Sequence, residues 1–340
     1  MPKRPRTKLS KPKPSYLVSE KPSIRFLPSG CTLLDCVLGG GYPLGRISNI
    51  VGDRSTAKTA LATEAMINFC NQYPTGQAAY RESEAAFDQS YAEAMGLKLD
   101  KIDFGNDDKP LLTVEDFAKD FDLFLDQQIK TKTPGIYVLD SLDALSDDAE
   151  MEAEFGKATY GMGKAKFLST MMRKMARKIE RSQVLLLIVS QVRENIGVTF
   201  GERFRRAGGK ALDFYCSQVV WLAAIKPLKR SINKVERQYG VVILAKCKKN
   251  KVGLPFRECS FNFIFGYGVE DLGASIAWLS EVGRLKDAGL NNGEAKAYIR
   301  ALDTMTDTEY RREQATVSKA VKAAWADIET TFLPTRSKYG

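Results

Sequence analysis

Histidine is absent from the 340 residues of this chain, and that absence removes a large share of enzyme chemistry. Ser-His-Asp and Cys-His catalysis both need an imidazole, so any base here is a carboxylate or a lysine. Zinc sites built on Cys/His spacing fall with it, and the six cysteines (31, 36, 70, 216, 247 and 259) contain no CxxC pair. They suggest no disulfide framework, which fits a reducing, cytoplasmic setting. No run approaches the roughly 18 apolar residues of a membrane span, and the N-terminus lacks the apolar stretch of a secretory signal. Acidic residues are also in deficit: 41 Asp and Glu face 51 Lys and Arg, a formal charge of +10. The excess favours a polyanionic partner such as nucleic acid and says nothing about fold.

What is present suits a real core, since 44% of the residues are hydrophobic. The length allows one large domain with appendages, or two domains. Residues 1–24 are rich in Lys, Arg and Pro, with Glu20 as their one acidic residue. They read as a basic arm able to touch DNA phosphates, and equally as a solubilising tail. Within the arm, Tyr16-Leu17-Val18 offers a short apolar segment for docking on a neighbouring subunit, as a polymerisation segment would. From residue 25 on, apolar runs at 47–51, 78–84, 135–140, 184–191, 217–223, 240–246 and 259–265 read as strands. Patterns with a 3.6-residue period at 59–71, 114–128 and 164–180 read as helices. The runs IYVLD and VLLLIVS are nearly continuous β-branched and Leu sequence, as in strands covered on both faces. The alternation predicts an α/β fold with a mostly parallel sheet flanked by helices, over 25–272, followed by a small helical region at 273–340.

The strongest local signal is Gly52-Asp53-Arg54-Ser55-Thr56-Ala57-Lys58-Thr59, placed between a short apolar strand and a helix. In that position backbone N–H groups receive phosphates, Lys58 reaches the β and γ oxygens, and the Thr59 hydroxyl ligates Mg²⁺. The pattern GxxxxGK[ST] has glycine where Ala57 stands, so a positive φ there costs on the order of 1 kcal/mol. About 80 residues on, Asp140 ends a buried strand, where a carboxylate holds Mg²⁺ through water. The two elements are expected on neighbouring strands. A further carboxylate must polarise the attacking water. Glu82 and Glu84 both qualify, because residues i and i+2 of a strand point the same way.

Taken in order, these segments resemble the RecA family of recombinases from about residue 27 to 268. The markers are SGCTLLDCVLGGGYPLGRISNIVG, the altered P-loop, SEAAFDQSYAEAMG, VLDSLDAL, SQVRENIGVTFG, GGKALDFY and KNKVGLPFR. The resemblance implies a RecA-like P-loop ATPase core using ATP and Mg²⁺. It selects Glu84 as the water-activating carboxylate and sets Asp88 and Tyr91 against adenine. It makes Gln191 the sensor of the γ-phosphate and Phe214 a residue of communication between subunits. Lys249 and Lys251 then reach across a filament interface to the neighbour's nucleotide, and Phe265 lies against that neighbour's adenine. Two loops are implied for DNA. One, at about 152–165, has Met162-Gly163 at its tip and leads into a helix with Ser169 and Arg173. The other, at about 192–210, is expected to lack secondary structure and carries Arg193, Arg203, Arg205, Arg206, Gly208, Gly209 and Lys210.

The function implied by the resemblance is that of an ATP-dependent recombinase, which forms a filament on single-stranded DNA and exchanges strands with a homologous duplex. Its further partners would be other copies of itself and single-strand-binding or mediator proteins. Departures from the family pattern are the missing N-terminal helical module, an unmatched C-terminal region without an acidic tail, Asp213 in place of a lysine, and Ala57. They resemble a bacterial phage or mobile-element member more than a housekeeping one. They also leave open a mediator or regulatory ATPase, or a structural filament without strand exchange.

Overall fold

A computed structural model of the chain describes residues 24–84, 87–106, 110–152, 162–194, 204–206 and 209–338; the expected basic arm lies outside them apart from its last residue. The described residues begin with β1 (Phe26–Leu27), α1 (Thr32–Leu38) and β2 (Tyr42–Pro43), the two short strands pairing antiparallel. Strands and helices then alternate as β3 (Ile47–Gly52), α2 (Lys58–Gln72), β4 (Gln77–Glu82), α3 (Gln89–Ala94) and β5 (Ile102–Asp103). The alternation continues through α4 (Val114–Thr131), β6 (Gly135–Asp140), α5 (Asp148–Glu152), α6 (Met162–Ser182) and β7 (Val184–Glu194). Next come β8 (Phe204–Arg206), α7 (Gly209–Tyr215), the long hairpin β9 (Gln218–Ile232) and β10 (Val235–Asn250), then β11 (Glu258–Ile264) and β12 (Gly268–Glu270). Three helices close the chain: α8 (Asp271–Glu281), α9 (Ala295–Ala301) and α10 (Asp307–Thr331).

One sheet, ordered β12-β11-β10-β9-β3-β7-β6-β4-β5, organises these elements. Its six strands from β9 to β5 run parallel, and β10, β11 and β12 extend it antiparallel. Side chains of a strand alternate between faces, and here both faces are covered. Leu185, Leu187 and Val189 of β7 enter one hydrophobic layer with α1, α2, α8 and α10; Val184, Leu186 and Ile188 enter the other with α4 and α6. In β6, Ile136 and Val138 belong to the first layer and Tyr137 and Leu139 to the second. The parity carries Asp140 to the α2 face. The P-loop strand β3 and Asp140's strand β6 are not the neighbours that the sequence suggests, because β7 lies between them. The continuous apolar run of β7 takes the doubly covered centre.

The helices after β12 share this core. Val317, Ala320, Val321 and Ala324 form the buried stripe of α10 and pack in the layer containing α1 and α8. A capping box of Thr306 and Glu309 starts α10, and Glu329 pairs with Arg257 near its end. Among the described residues no helix is long and apolar enough to cross a membrane. None of the six cysteines is in a disulfide, and Cys31, Cys216, Cys247 and Cys259 are buried. Burial pushes the Cys247 thiol up to about 11 and that of half-buried Cys36 to about 12.

Several carboxylates are buried on the α1/α2 side. Asp35 accepts from Ser29 N (2.8 Å) and Ser29 Oγ (2.7 Å), yet burial lifts it to about 7. Glu64 accepts from Val269 N (2.7 Å) and is lifted by burial to about 8. A folded-state pKa raised above the unfolded one gives stability that is full below the unfolded value and lost as pH rises through the folded one. The melting temperature should therefore fall from about pH 4, near the unfolded carboxyl values, to about pH 8, where both groups are ionised in the folded chain. Glu64→Gln, which keeps the acceptor and removes the charge, should flatten that fall in thermal melts across the range.

Candidate nucleotide and DNA site

The loop between β3 and α2 folds around its own lysine. Lys58 Nζ donates to the Asp53 carbonyl at 2.6 Å, Thr56 Oγ1 donates to the same carbonyl at 2.8 Å, and Arg54 N donates to Asp53 Oδ1. Ala57 stands at the helix N-cap with φ 63° and ψ 22°, and Ser55 also has a positive φ of 57°. Alanine thus takes the left-handed conformation in which glycine is the usual residue. Gly52 is needed for space: a Cβ there would lie 2.4 Å from Thr56 Oγ1 and 3.1 Å from the Leu222 carbonyl. No side chain caps α2, so the N–H groups of its first turn face the loop without an intrahelical acceptor. An uncapped helix start with a lysine beside it fits a polyphosphate.

At the strand ends, Thr59 Oγ1 donates to Asp140 Oδ2 at 2.6 Å, although β3, which leads into Thr59's helix, is not adjacent to β6. Helix α2 crosses the α2 face and carries Thr59 over to β6. A hydroxyl backed by a carboxylate suits a Mg²⁺ ion that takes its other ligands from phosphate and water. Among the described residues no group of three His, Cys, Asp or Glu forms a metal site on its own. Burial raises the Asp140 carboxyl, against the hydrogen bonds from Thr59 and Tyr80, and burial lowers Lys58, against the attraction of Asp140 and Glu84.

Glu84, beyond the end of β4, receives three hydrogen bonds. Gln191 Nε2 donates to its two carboxylate oxygens at 2.8 and 3.0 Å, and Ser141 Oγ donates to Oε1. Glu82 instead accepts from Glu84 N at 2.9 Å. Gln191 is carried in by β7, whose backbone N–H there is held by Asp143 Oδ2 at 2.8 Å. Sequence reading missed Ser141, Ser83 and Asp143; Ser83 Oγ donates to the Ser141 carbonyl and accepts from its N–H. Their one sequence signal was position: Ser83 and Ser141 directly beside Glu84 and Asp140, and Asp143 three residues beyond Asp140.

A cleft of about 420 Å³ runs from Ser55–Ala60 past Thr63 to Phe87, Asp88, Tyr91, Phe263 and Phe265, a size that admits a nucleotide. Asp88 caps α3 by accepting from Tyr91 N at 2.9 Å, and Gly266 N donates to Tyr91 OH at 3.4 Å. Phe265 therefore walls the cleft of its own chain, where the resemblance had set it against a neighbour's adenine. The reason is the antiparallel extension of the sheet, which returns the end of β11 to α3. Phe263, two residues earlier, joins it through the strand's alternation.

Lys249 and Lys251 do not line this cleft. Their ammonium groups donate to the carbonyls ending α7: Lys249 to Asp213 and Phe214, Lys251 to Phe214 at 2.8 Å. Cations suit a helix C-terminus. Phe214, 68% exposed, lies under Lys251 at 5.5 Å, so three residues of the implied subunit interface meet at one exposed spot.

The expected DNA segments are shorter as loops than read. Helix α6 begins at Met162, so Met162 and Gly163 stand in its first turn and not at a loop tip. Lys164 Nζ anchors that turn to the Leu142 carbonyl at 2.9 Å. Ser169 is half-buried on α6, and Arg173 is exposed with Lys166, Lys174, Arg177 and Arg181. The stretch 192–210 is not structureless. β7 runs through Glu194, β8 pairs with it in the register Val192↔Arg206 and Arg193↔Arg205, and α7 starts at Gly209 and includes Lys210. A ladder satisfies the backbone groups of strands projecting past the sheet. Arg203 and Gly208 lie outside the described residues.

The family model for the RecA N-terminal domain matches residues 16–270. The chain is 36% identical over 253 residues to Protein RecA of Synechocystis sp., covering 74% of this chain and 68% of that protein. It is 33% identical over 302 residues to Protein RecA of Rippkaea orientalis, with 85% and 82% covered. Against Protein RecA of Arthrospira platensis the identity is 31% over 313 residues, with 91% and 81% covered. Replacing Ala57 by glycine should relieve the left-handed strain and raise unfolding stability by about 1 kcal/mol in denaturant titrations.

Proposed function

The chain belongs to the RecA family, and on that premise we propose that it is an ATP- and Mg²⁺-dependent recombinase acting as a filament on single-stranded DNA. The observation that carries this reading is the Gln191 amide on both oxygens of Glu84. Gln191 stands two residues before Arg193, whose backbone pairs with Arg205. A change at the water-activating carboxylate is thereby coupled to the arginine-bearing hairpin by a single side chain.

In this mechanism Lys58 and the first-turn N–H groups of α2 hold the β and γ phosphates. Thr59 and Asp140 hold Mg²⁺, which offsets charge on the phosphates when bound. Glu84 orients the attacking water and takes its proton. Tyr91, Asp88 and Phe265 receive the base. Lys249 and Lys251 supply cations to the neighbouring subunit's γ-phosphate, so hydrolysis depends on assembly. Arg193, Arg205, Arg206, Ser169 and Arg173 contact the DNA backbone, the cationic face of α6 adds long-range attraction, and pairing with a homologous duplex supplies sequence specificity. The mediator alternative draws on Ala57, and the arginine-bearing stretch that includes Arg193, Arg205 and Arg206 argues against it.

Single-stranded DNA should stimulate ATP hydrolysis several-fold, with Lys58→Ala as the inactive blank. Gln191→Ala should abolish the stimulation. Hydrolysis indifferent to DNA would exclude the recombinase reading. Arg193→Ala combined with Arg205→Ala should lower the salt slope of single-strand binding by about 1.4, at about 0.7 for each lost phosphate contact; an unchanged slope in a fluorescence titration would move the DNA path elsewhere.

A further inference from the structure

Tyr80 has no part in the proposed mechanism, yet its hydroxyl reaches the centre of the site. The residue is 1% exposed on β4, on the same face as Asp140. Its ring is held by Phe87 at 4.6 Å and Phe104 at 6.0 Å between centroids, and these two rings lie 5.4 Å apart. Phe87 also lines the nucleotide cleft. From that fixed ring the hydroxyl donates to Asp140 Oδ2 at 3.0 Å. Thr59 Oγ1 donates to the same oxygen at 2.6 Å, and Oδ1 accepts no hydrogen bond among the described residues.

A phenylalanine would satisfy the aromatic packing and would bring no buried polar atom needing a partner. The hydroxyl is therefore an addition to the packing, and its effect falls on Asp140. Two donors converging on one carboxylate oxygen fix the rotation of the carboxylate and leave the other oxygen open toward the metal's water shell. Second donors of this kind orient the groups that hold a metal and tune its affinity.

We propose that Tyr80 is a positioning residue for Mg²⁺, acting through Asp140 to preset the carboxylate before metal and nucleotide arrive. The proposal rests on the ATP- and Mg²⁺-dependent reading of this site. It assigns the Tyr80 hydroxyl to the metal step alone, apart from phosphate or base binding.

The test uses the full chain and the fluorescent nucleotide mant-ADP, titrated with MgCl₂ and, separately, in EDTA. For Tyr80→Phe the Mg²⁺ concentration at half-maximal tightening of mant-ADP should rise about tenfold, the equivalent of one hydrogen bond to a charged group. Affinity in EDTA should match the wild type. Thr59→Ala marks the size of a direct effect on the metal site, and the double variant should show less than the sum of the two, since both act through Oδ2. A Mg²⁺ curve for Tyr80→Phe superimposing on the wild type overturns the proposal and leaves the nucleotide reading standing. Equal weakening with and without Mg²⁺ assigns Tyr80 a purely structural role and also overturns it. A wild-type chain that binds no mant-ADP under either condition removes the nucleotide reading and the proposal together.

Discussion

Side chains of a parallel sheet alternate between its faces, and in this molecule one face collects the chemistry. Asp140, Tyr80 and Gln191 stand on strands covered by α2, at positions whose parity matches the apolar residues of that layer. A slip of one residue in β6 would move Asp140 to the α4 face and put Leu139 in its place. The register is enforced on both sides, because each face buries its own set of aliphatic side chains against its own helices. The geometry of the site is thus inherited from the core and requires little local reinforcement.

That inheritance has an electrostatic cost, met by pairing. Lys58 and Asp140 are both drawn out of water, so the lysine is pushed toward its neutral form and the carboxyl toward its protonated form. Each is held charged by the other and by oriented donors and acceptors: Thr59 and Tyr80 on the carboxylate, the Asp53 carbonyl on the ammonium. On the opposite face of the same sheet, buried Arg81 pairs with half-buried Asp120 and exposed Asp103, and Tyr137 OH donates to Asp120 at 2.6 Å. Charge inside this protein is tolerated where hydrogen bonds surround it.

Much of this was legible in the residues. The runs at 135–140 and 184–191 gave their strands nearly to the residue, since long apolar β-branched segments have few alternatives. The P-loop and Asp140 followed from type and position. Periodicity could not order the strands, so β7 between β3 and β6 was missed. It also could not separate Glu82 from Glu84, and the bonds that Gln191 and Ser141 make to Glu84 come from distant segments. The stretch 192–210 looked like a loop because arginines and glycines carry no period-2 pattern, while its pairing draws on backbone groups that sequence does not display. Phe265, which the resemblance sets against a neighbour's adenine, also walls the cleft of its own chain, a placement that depends on the path of β11 and not on any local sequence signal.

The cysteines have a use that their chemistry in the folded chain conceals. They are spread over α1 and its N-cap, α2, β10, β11 and the end of α7, four are buried, and burial raises the thiols of Cys31, Cys36, Cys70, Cys247 and Cys259 above their ordinary range. In that state they are poor nucleophiles toward an alkylating reagent. Each of the four buried ones becomes reactive only when its own segment separates from the core. The rate at which each thiol is capped then reports the opening of that segment, and the chain carries a built-in map of its local stability.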